Sequence, residues 1–547
     1  MKVALAQLNY IIGDFEGNCD KMTGAVERAK QAGADLVVFS ELSVTGYYPH
    51  DLLEKKEFIR MAEETVRRIA RSCRGIAAIV GAPRINDNER GKTLYNSAFF
   101  LADGKIQSVH NKTLLPTYDV FDEYRHFEPN SEFHVAEYKG ERIAVTICED
   151  LWDEQPTANE FGKNKLYRIS PMEELAGLNP DFVVNISASP FSYNQENWRK
   201  DVLVHKAKKY HIPIVYVNQT GAQTELIFDG GSVFIDAGGE IVKELKYFEE
   251  DFLTVDTGNP GDAELQPVTG RIEKIHDALV LGIRDYFGKA GFRQATLGLS
   301  GGIDSAITAV LAVEALGAEN VRVLLLPSRY SSDHSLEDAR QLAENLKIKY
   351  DIVPIQEVVD AFEKGLTSLF EGTRQDITEE NIQARARGIY LMAISNKFGH
   401  ILLNTTNKSE CAVGYGTLYG DMNGGLAVLG DVYKTDIFRL ARFMNREREV
   451  IPENTIVKPP SAELRPDQKD TDSLPEYEIL DEILFSFIEQ NLSPGEIEGK
   501  GFDPEVVRKV IRMVNTTEYK RFQAAPILRV SSKAFGFGRK MPLVGRY

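Results

Sequence analysis

The sequence predicts an α/β protein in two successive units. Short runs rich in Val, Ile and Phe alternate with helical stretches along the chain, a polar crossing interrupts them near the middle, and the layout changes after it. Strands near-continuous in apolar residues are buried on both faces, so a sheet layer covered by helices is the economical reading. Length agrees: 547 residues exceed one ordinary core, and domains of roughly 100–250 residues predict two or three.

Composition narrows the function classes. Hydrophobic residues make up 43% and charged residues 27%, ordinary for a soluble globular protein. No stretch approaches a membrane span, and the start MKVALAQLNYIIGD has one Lys, a β-like alternation and no small-residue cleavage site, so a cytoplasmic protein is expected. A formal charge of −17 argues against nucleic acid as partner, because phosphate backbones need a basic face. Cys19, Cys73, Cys148 and Cys411 are scattered with no CxxC pair. They suggest neither a zinc site nor a disulfide framework, and leave a lone cysteine as a candidate nucleophile.

In residues 1–257 the strands read as Val3 to Leu8, Asp35 to Ser40, Ile76 to Gly81, Ser97 to Leu101, Ile143 to Ile147, Phe182 to Ile186 and Ile214 to Asn218. Asp51 to Ser72 and Asn194 to Tyr210 read as helices. Three strand ends carry chemistry: Glu41 in VVFSELSVTGYYPHDLL, Lys112 in VHNKTLLPTYDVFDE, and Cys148 in IAVTICEDLWD, with Glu149 and Asp150 directly behind it. Singly, each reads as a solvated cap, a surface lysine or an inert small hydrophobe. Together they share a rationale. A thiolate attacks an amide carbonyl, a carboxylate serves as base for the thiol and acid for leaving ammonia, and a lysine stabilises the tetrahedral oxyanion.

The contexts FSELSVTGY, HNKTLLPTY and TICEDLW resemble the nitrilase (carbon–nitrogen hydrolase) superfamily over roughly the first 255 residues. The resemblance implies an α-β-β-α sandwich with Glu41 as general base, Lys112 as oxyanion-side cation and Cys148 as nucleophile. It also implies that Tyr118, Phe121 and Glu123 wall or support a glutamine pocket and that Ser189, in NISASPF, lies near the substrate. Gln195 stands where many relatives carry a basic residue, which leaves the clamp on the substrate α-carboxylate open.

GNPGDAELQPVTG, residues 258–270, has three glycines, two prolines and little apolar content, and reads as a linker. From 271 to 547 the pattern becomes an open α/β layout. A helix from Arg271 to Gly288 precedes a β-like segment, Ala295 to Leu299, then LGLSGGIDSA, then a helical run from Ala306 to Leu316. Gly301 and Gly302 let backbone approach a phosphate, Ser300, Ser305 and the helix-start N–H groups offer donors, and Asp304 suits Mg²⁺ on pyrophosphate oxygens. The spacing is not that of a Walker loop. SGGIDS resembles the pyrophosphate loop of the ATP-pyrophosphatase family, which cleaves ATP between its α and β phosphates.

VRVLLLP and KYDIVPI follow as strands, with a capped helix over SRYSSDHSLEDARQLAENL between them and a long helical region through Phe362 to Phe370 after. HILLNTTNKSE is a strand running into a polar turn. Ligands sit at the carboxyl ends of strands in doubly wound sheets, so this turn and the SGGIDS loop are expected to face one pocket. Glu410 is then the second Mg²⁺ carboxylate beside Asp304, Thr405 touches ATP, and Lys434 neutralises phosphate charge. Asn381 and Arg387 share one helical stretch, and Lys520 follows NTTEY.

SGGIDSA, NIQARARGIY, NTTNKSE, YGDMNGGLAVLGDVYKT and EYKRFQAAPILRVSSKAFG together resemble the NAD⁺ synthetase family over about residues 265–547, and the fused amidase resembles its glutamine-dependent branch. The resemblance implies a Rossmann-like open parallel sheet with helices on both faces. It places ATP on Gly298, Leu299, Ser300, Gly301, Gly302, Ile303, Asp304, Ser305, Thr405 and Lys434, and deamido-NAD⁺ on Asn381, Arg387, Glu410 and Lys520. It further implies Mg²⁺ on Asp304 and Glu410, and a homo-oligomer built on a synthetase-domain dimer. The expected reaction is glutamine-fuelled, ATP-dependent amidation of deamido-NAD⁺ through an adenylate. A ligase for another carboxylate, or an amidase with a regulatory ATP module, are the alternatives. Ser461 to Pro475, polar and Pro-containing, reads as a mobile loop over the site.

Overall fold

The computed structural model describes residues 1–154, 167–466 and 468–545. The chain divides into two units, Met1–Val268 and Thr269–Tyr547.

In the first unit, strands β1 (Lys2–Gln7), β2 (Leu36–Val38), β3 (Ala77–Ile85), β4 (Leu94–Ala102) and β5 (Lys105–Asn111) belong to one sheet. A second holds β6 (Ala136–Tyr138), β7 (Glu141–Ile147), β8 (Phe182–Ser187) and β9 (Ile214–Asn218). After a hairpin of β10 (Thr220–Gln223) and β11 (Leu226–Asp229), β12 (Val233–Ile235) and β13 (Ile241–Glu244) complete the second sheet and β14 (Asp251–Asp256) returns to the first. The orders are β14-β1-β2-β3-β4-β5 and β13-β12-β9-β8-β7-β6. Each sheet has three parallel strands at its centre and antiparallel flanks.

Side-chain alternation along these strands builds the layers. Val3, Leu5, Leu36 and Val38 face Ile143, Val145, Val184 and Val215 in a core between the sheets. Ala4, Val37 and Val80 pack outward on helices α1 (Phe15–Gln31) and α2 (Lys56–Ser72). Ala144, Val183 and Tyr216 pack outward with residues of α3 (Pro171–Ala176) and α4 (Gln195–Tyr210). This is the α-β-β-α sandwich. The helix expected from Asp51 starts later: His50–Glu54 is a 3₁₀ turn, and Lys55 is extended before α2 begins.

The second unit opens with α5 (Arg271–Ala290) and carries five parallel strands in the order β17-β16-β15-β18-β19. They are β15 (Ala295–Gly298), β16 (Val321–Leu325), β17 (Lys349–Ile352), β18 (Ile401–Asn404) and β19 (Leu426–Ala427). Between them run α6 (Ile303–Leu316), α7 (Asp333–Leu346), α8 (Gln356–Leu366) and α9 (Ile377–Phe398). Leu324 and Leu326 pack with Ile355, Val359 and Ala386 on one face, so the buried Val323 and Leu325 face the other. Chain order reverses between β15 and β18, which puts a topological switch point beside the SGGIDS loop.

Two helix bounds differ from the sequence reading. α6 begins at Ile303, because Gly302 is extended and serves as its N-cap, which puts Asp304 and Ser305 in the first turn. The helix expected through Phe370 stops at Leu366, next to Gly365, a poor helix former. No helix among the described residues is long and apolar enough to cross a membrane.

Candidate active sites

In the first unit Glu41 lies three residues past β2, Lys112 directly follows β5, and Cys148 directly follows β7. All three are buried. The Lys112 ammonium donates to Glu41 Oε1 at 2.7 Å and to Glu123 Oε1 at 2.9 Å. At an effective dielectric of 20 each such contact is worth about 6 kcal/mol of attraction, enough to offset several kcal/mol of desolvation. Burial opposes the ammonium, but Glu123 and Glu41 hold its pKa well above the ordinary lysine value. Glu41 is pinned further by Asn96 Nδ2 at 2.7 Å and by the Ala188 N–H at 3.1 Å.

Cys148 opens a 3₁₀ turn with φ of 43°, a conformation that costs a side-chain-bearing residue on the order of 1–3 kcal/mol. Asp150 holds that turn. Its carboxylate accepts from the Ile147 N–H at 3.0 Å, and from those of Thr113 and Leu114 at 2.9 and 2.8 Å. One side chain thus ties the nucleophile's turn to the loop behind Lys112. Burial, and then the Glu41 charge, push the Cys148 thiol well above its usual pKa, against the pull of Lys112. The resting sulfur is therefore a thiol, and attack requires a base at hand.

Around this centre, Tyr118 packs edge-on against Phe121 with ring centroids 5.6 Å apart. The Tyr118 hydroxyl donates to Glu149 Oε1 at 2.9 Å, as Tyr167 does at 2.8 Å. Burial raises Glu149 to about 7 despite those bonds. Glu123 supports Lys112 and takes a bond from the Tyr47 hydroxyl at 2.8 Å; burial, opposed by Lys112, brings it also to about 7. The Ser189 N–H donates to Asn218 Oδ1 at 2.9 Å. Gln195 is the half-buried first residue of α4.

In the second unit a cavity of about 320 Å³ opens at the carboxyl ends of β15, β16 and β18. Gly298, Leu299, Ser300, Gly302, Ile303, Asp304 and Ser305 line it on one side, and Thr405, Glu410, Lys434 and Arg387 on others. Gly301 is off the wall, and its glycine has a different cause from phosphate access: its φ is 82° and an added Cβ would collide with the Ser335 carbonyl of α7. Gly302, by contrast, would meet only the Ser300 hydroxyl at 3.3 Å. Ser300 Oγ accepts from the Gly302 N–H, and Ser305 Oγ from the Ser300 N–H, both at 3.2 Å.

Asp304 is gripped from two sides: Asn407 Nδ2 donates to Oδ1 at 2.9 Å and Lys434 Nζ to Oδ2 at 2.5 Å. Helix α10 (Lys408–Val413) starts with a reciprocal cap between Asn407 and Glu410, leaving Glu410 Oε1 3.9 Å from Lys434. Burial, and then the neighbouring Asp304, raise Glu410 to about 8. Asn381 and Lys520 are not among the residues of the cavity wall. Asn381 accepts from the Thr417 hydroxyl at 2.7 Å, and Lys520 donates to the Gly414 and Gly416 carbonyls at 2.8 and 2.7 Å. Both thereby hold the 414–421 segment, whose Tyr415 and Asp421 do line the cavity. Ser461, Glu463, Leu464 and Asp470 of the loop expected over the site are wall residues; Asp467 lies outside the described residues.

Family models match both units: carbon–nitrogen hydrolase over residues 2–258 and NAD synthase over 275–524. The glutamine-dependent NAD(+) synthetase of Synechocystis sp. is 46% identical over 99% of this chain and 98% of its own. That of Thermotoga maritima is 43% identical over 100% and 99%. The chain belongs to the glutamine-dependent NAD(+) synthetase family. Among solved family members, the Acinetobacter baumannii enzyme in complex with ADP matches with a TM-score of 0.78 at 41% identity over 99% of this chain and 98% of that one. The Cytophaga hutchinsonii enzyme, at 22% identity and a TM-score of 0.83 over 100% and 98%, shares the fold.

For this family member the sequence reading missed Asn96, the role of Asp150, and Asn407. Asn407 was legible in principle, since N-x-x-E before an apolar run is a capping box. Asn96 had no signal: it is a mid-strand residue of β4, and only the pairing of β3 with β4 brings it to Glu41.

Proposed function

We propose that the chain amidates deamido-NAD⁺ to NAD⁺, using ammonia from glutamine and the cleavage of ATP to AMP and pyrophosphate. The observation that carries this reading is the presence in one chain of two complementary centres. One is a buried thiol with a carboxylate and an ammonium; the other is a loop-lined cavity with paired carboxylates.

In the first centre Cys148 Sγ attacks the glutamine side-chain carbonyl as Glu41 accepts the thiol proton. Lys112 stabilises the oxyanion. Glu41 returns the proton to the departing ammonia, then deprotonates the water that cleaves the thioester to glutamate. Tyr118 and Phe121 wall the glutamine pocket with Ser189 and Gln195 at its border, and Glu123 keeps Lys112 charged.

In the second centre a nicotinate carboxylate oxygen attacks the α-phosphorus of ATP and pyrophosphate leaves. Ammonia then attacks the acyl carbon and AMP departs. The backbone from Gly298 to Ser305, with Thr405 and Lys434, binds ATP, while Arg387 and Glu410 face the dinucleotide and Asn381 and Lys520 support its side of the cavity. Asp304 and Glu410 fit a Mg²⁺ ion, because both half-buried carboxylates face the Lys434 ammonium and the Asp304 charge leaves Glu410 reluctant to ionise without further positive charge. Bound there, the cation supplies charge neutralisation for the leaving pyrophosphate. We place this reaction in the cytoplasm, in an oligomer built on a synthetase-domain dimer.

The test is release of AMP and pyrophosphate with ATP, Mg²⁺, deamido-NAD⁺ and either glutamine or ammonium. No AMP under either nitrogen source sinks the reading and brings forward a ligase for another acid. Acidity should also matter. Glu123 and Glu149 are both held at about 7, so each is mostly protonated at pH 6 and mostly ionised at pH 8. Glutamate release from glutamine is therefore expected to rise with pH across that window. A flat profile from 6 to 8 would show that neither charge is needed.

A further inference from the structure

A second cluster of ligand-type side chains lies behind the thiol centre. On the 3₁₀ turn His50–Glu54, residues three apart eclipse one another, so the Asp51 and Glu54 carboxylates project side by side into solvent. Facing them is His126, whose side chain is only 6% exposed. Its Nε2 lies 3.5 Å from Asp51 Oδ1 and 3.8 Å from Glu54 Oε1, and among the described residues it has no hydrogen-bond partner within bonding geometry.

The other ring nitrogen explains which face of the imidazole is presented. His126 Nδ1 is 2.8 Å from the Tyr48 hydroxyl, which also donates to the Asp122 carbonyl at 3.4 Å. A phenol has one proton. Either tautomer keeps Nδ1 on the phenol and turns Nε2 toward the two carboxylates, where a cation binds by taking the place of any Nε2 proton. Three potential ligand atoms then converge, with one guanidinium at the rim. Arg125 Nη2 reaches Asp51 Oδ1 at 3.1 Å and Glu54 Oε1 at 3.8 Å, and its side chain is half exposed.

The separations suit a small cation. The three ligand atoms lie within 4.8 Å of one another, and ligands of a tetrahedral zinc ion stand roughly 3.3 Å apart. One imidazole with two carboxylates favours zinc-class ions over Mg²⁺, which prefers an all-oxygen octahedron and keeps its waters. The Tyr48 contact is the outer-shell bond that fixes a ligating imidazole.

We infer that Asp51, Glu54 and His126 form a site for a zinc-class divalent cation, with water in the fourth position and the Arg125 side chain as a competing occupant. The cation clamps the 48–54 segment onto the 122–126 turn. That turn carries Glu123, the carboxylate under Lys112, and Tyr47 beside the clamp donates to it.

The test uses the full chain, stripped with chelator and kept in millimolar Mg²⁺, titrated with ZnCl₂ by calorimetry. Wild type is expected to bind one more zinc equivalent than an Asp51→Ala, Glu54→Ala double variant, and to gain melting temperature from it. Both positions are exposed, so the variant's unliganded melting curve serves as the folding control. Arg125→Ala is expected to tighten that equivalent about tenfold, as loss of roughly 1.4 kcal/mol of competition requires. Equal zinc stoichiometry in wild type and double variant overturns the site, as does an Arg125→Ala protein that binds zinc no more tightly.

Discussion

Replacing Cys148 with alanine is expected to abolish NAD⁺ formation from glutamine and to leave formation from ammonium salts unchanged. The sulfur forms the bond to the substrate carbonyl, so its loss removes the reaction path, and a fall on the order of 10⁴-fold or more in glutamate release follows. The substitution trims one buried atom from a turn whose geometry rests on Asp150, which accepts three backbone N–H bonds without using the sulfur. The fold should therefore survive. The assay compares glutamine and ammonium as nitrogen source at equal ATP and deamido-NAD⁺. Glutamine-driven synthesis that persists in the variant would remove Cys148 from the mechanism; loss with both sources would mean that the thiol unit is needed for more than ammonia supply.

Asp304→Asn should instead abolish synthesis from either source. The carboxylate is held by Asn407 on one oxygen and Lys434 on the other. An amide keeps the shape and the Asn407 bond, but it sets an NH₂ group against the Lys434 ammonium, itself 2% exposed, and withdraws one of the two carboxylate charges proposed to hold the cation. Removal of one preorganised electrostatic group at a reacting phosphate costs on the order of 10²–10³ in rate, and here two functions go together. Pyrophosphate release with ammonium as sole nitrogen source measures it. A variant that fails with glutamine alone would take Asp304 out of ATP activation.

These contrasting outcomes follow residues of different legibility. Glu41, Lys112 and Cys148 are each unremarkable in sequence, and they became a site on paper only through a shared chemistry at three strand ends. The structure joins them by a reason visible in the strands: β2 and β7 run in parallel triplets and β5 is the first sheet's edge, so their ends meet on one side of the sandwich. Gly301 was legible as glycine but not for its cause, since the carbonyl it must avoid belongs to α7, some thirty residues on. Lys520 and Asn381 carried the right chemistry for a ligand, yet bond to the 414–421 backbone and a threonine hydroxyl.

By itself, the sequence determined the alternation of buried central strands with helices, the division into two units and the residue types proposed for the chemistry. Those properties live in local periodicity and in motifs whose spacing is short. Tertiary structure alone decided which donors hold each functional group: Asn96 on Glu41, Asp150 on the nucleophile's turn, Asn407 and Lys434 on Asp304, and His126 facing Asp51 and Glu54. Apart from the Asp150 turn, such pairings join residues some fifty to one hundred and thirty positions apart. Hydrogen bonds and charge contacts act over a few ångströms of space, and chain separation carries no information about that distance until the sheets are assembled.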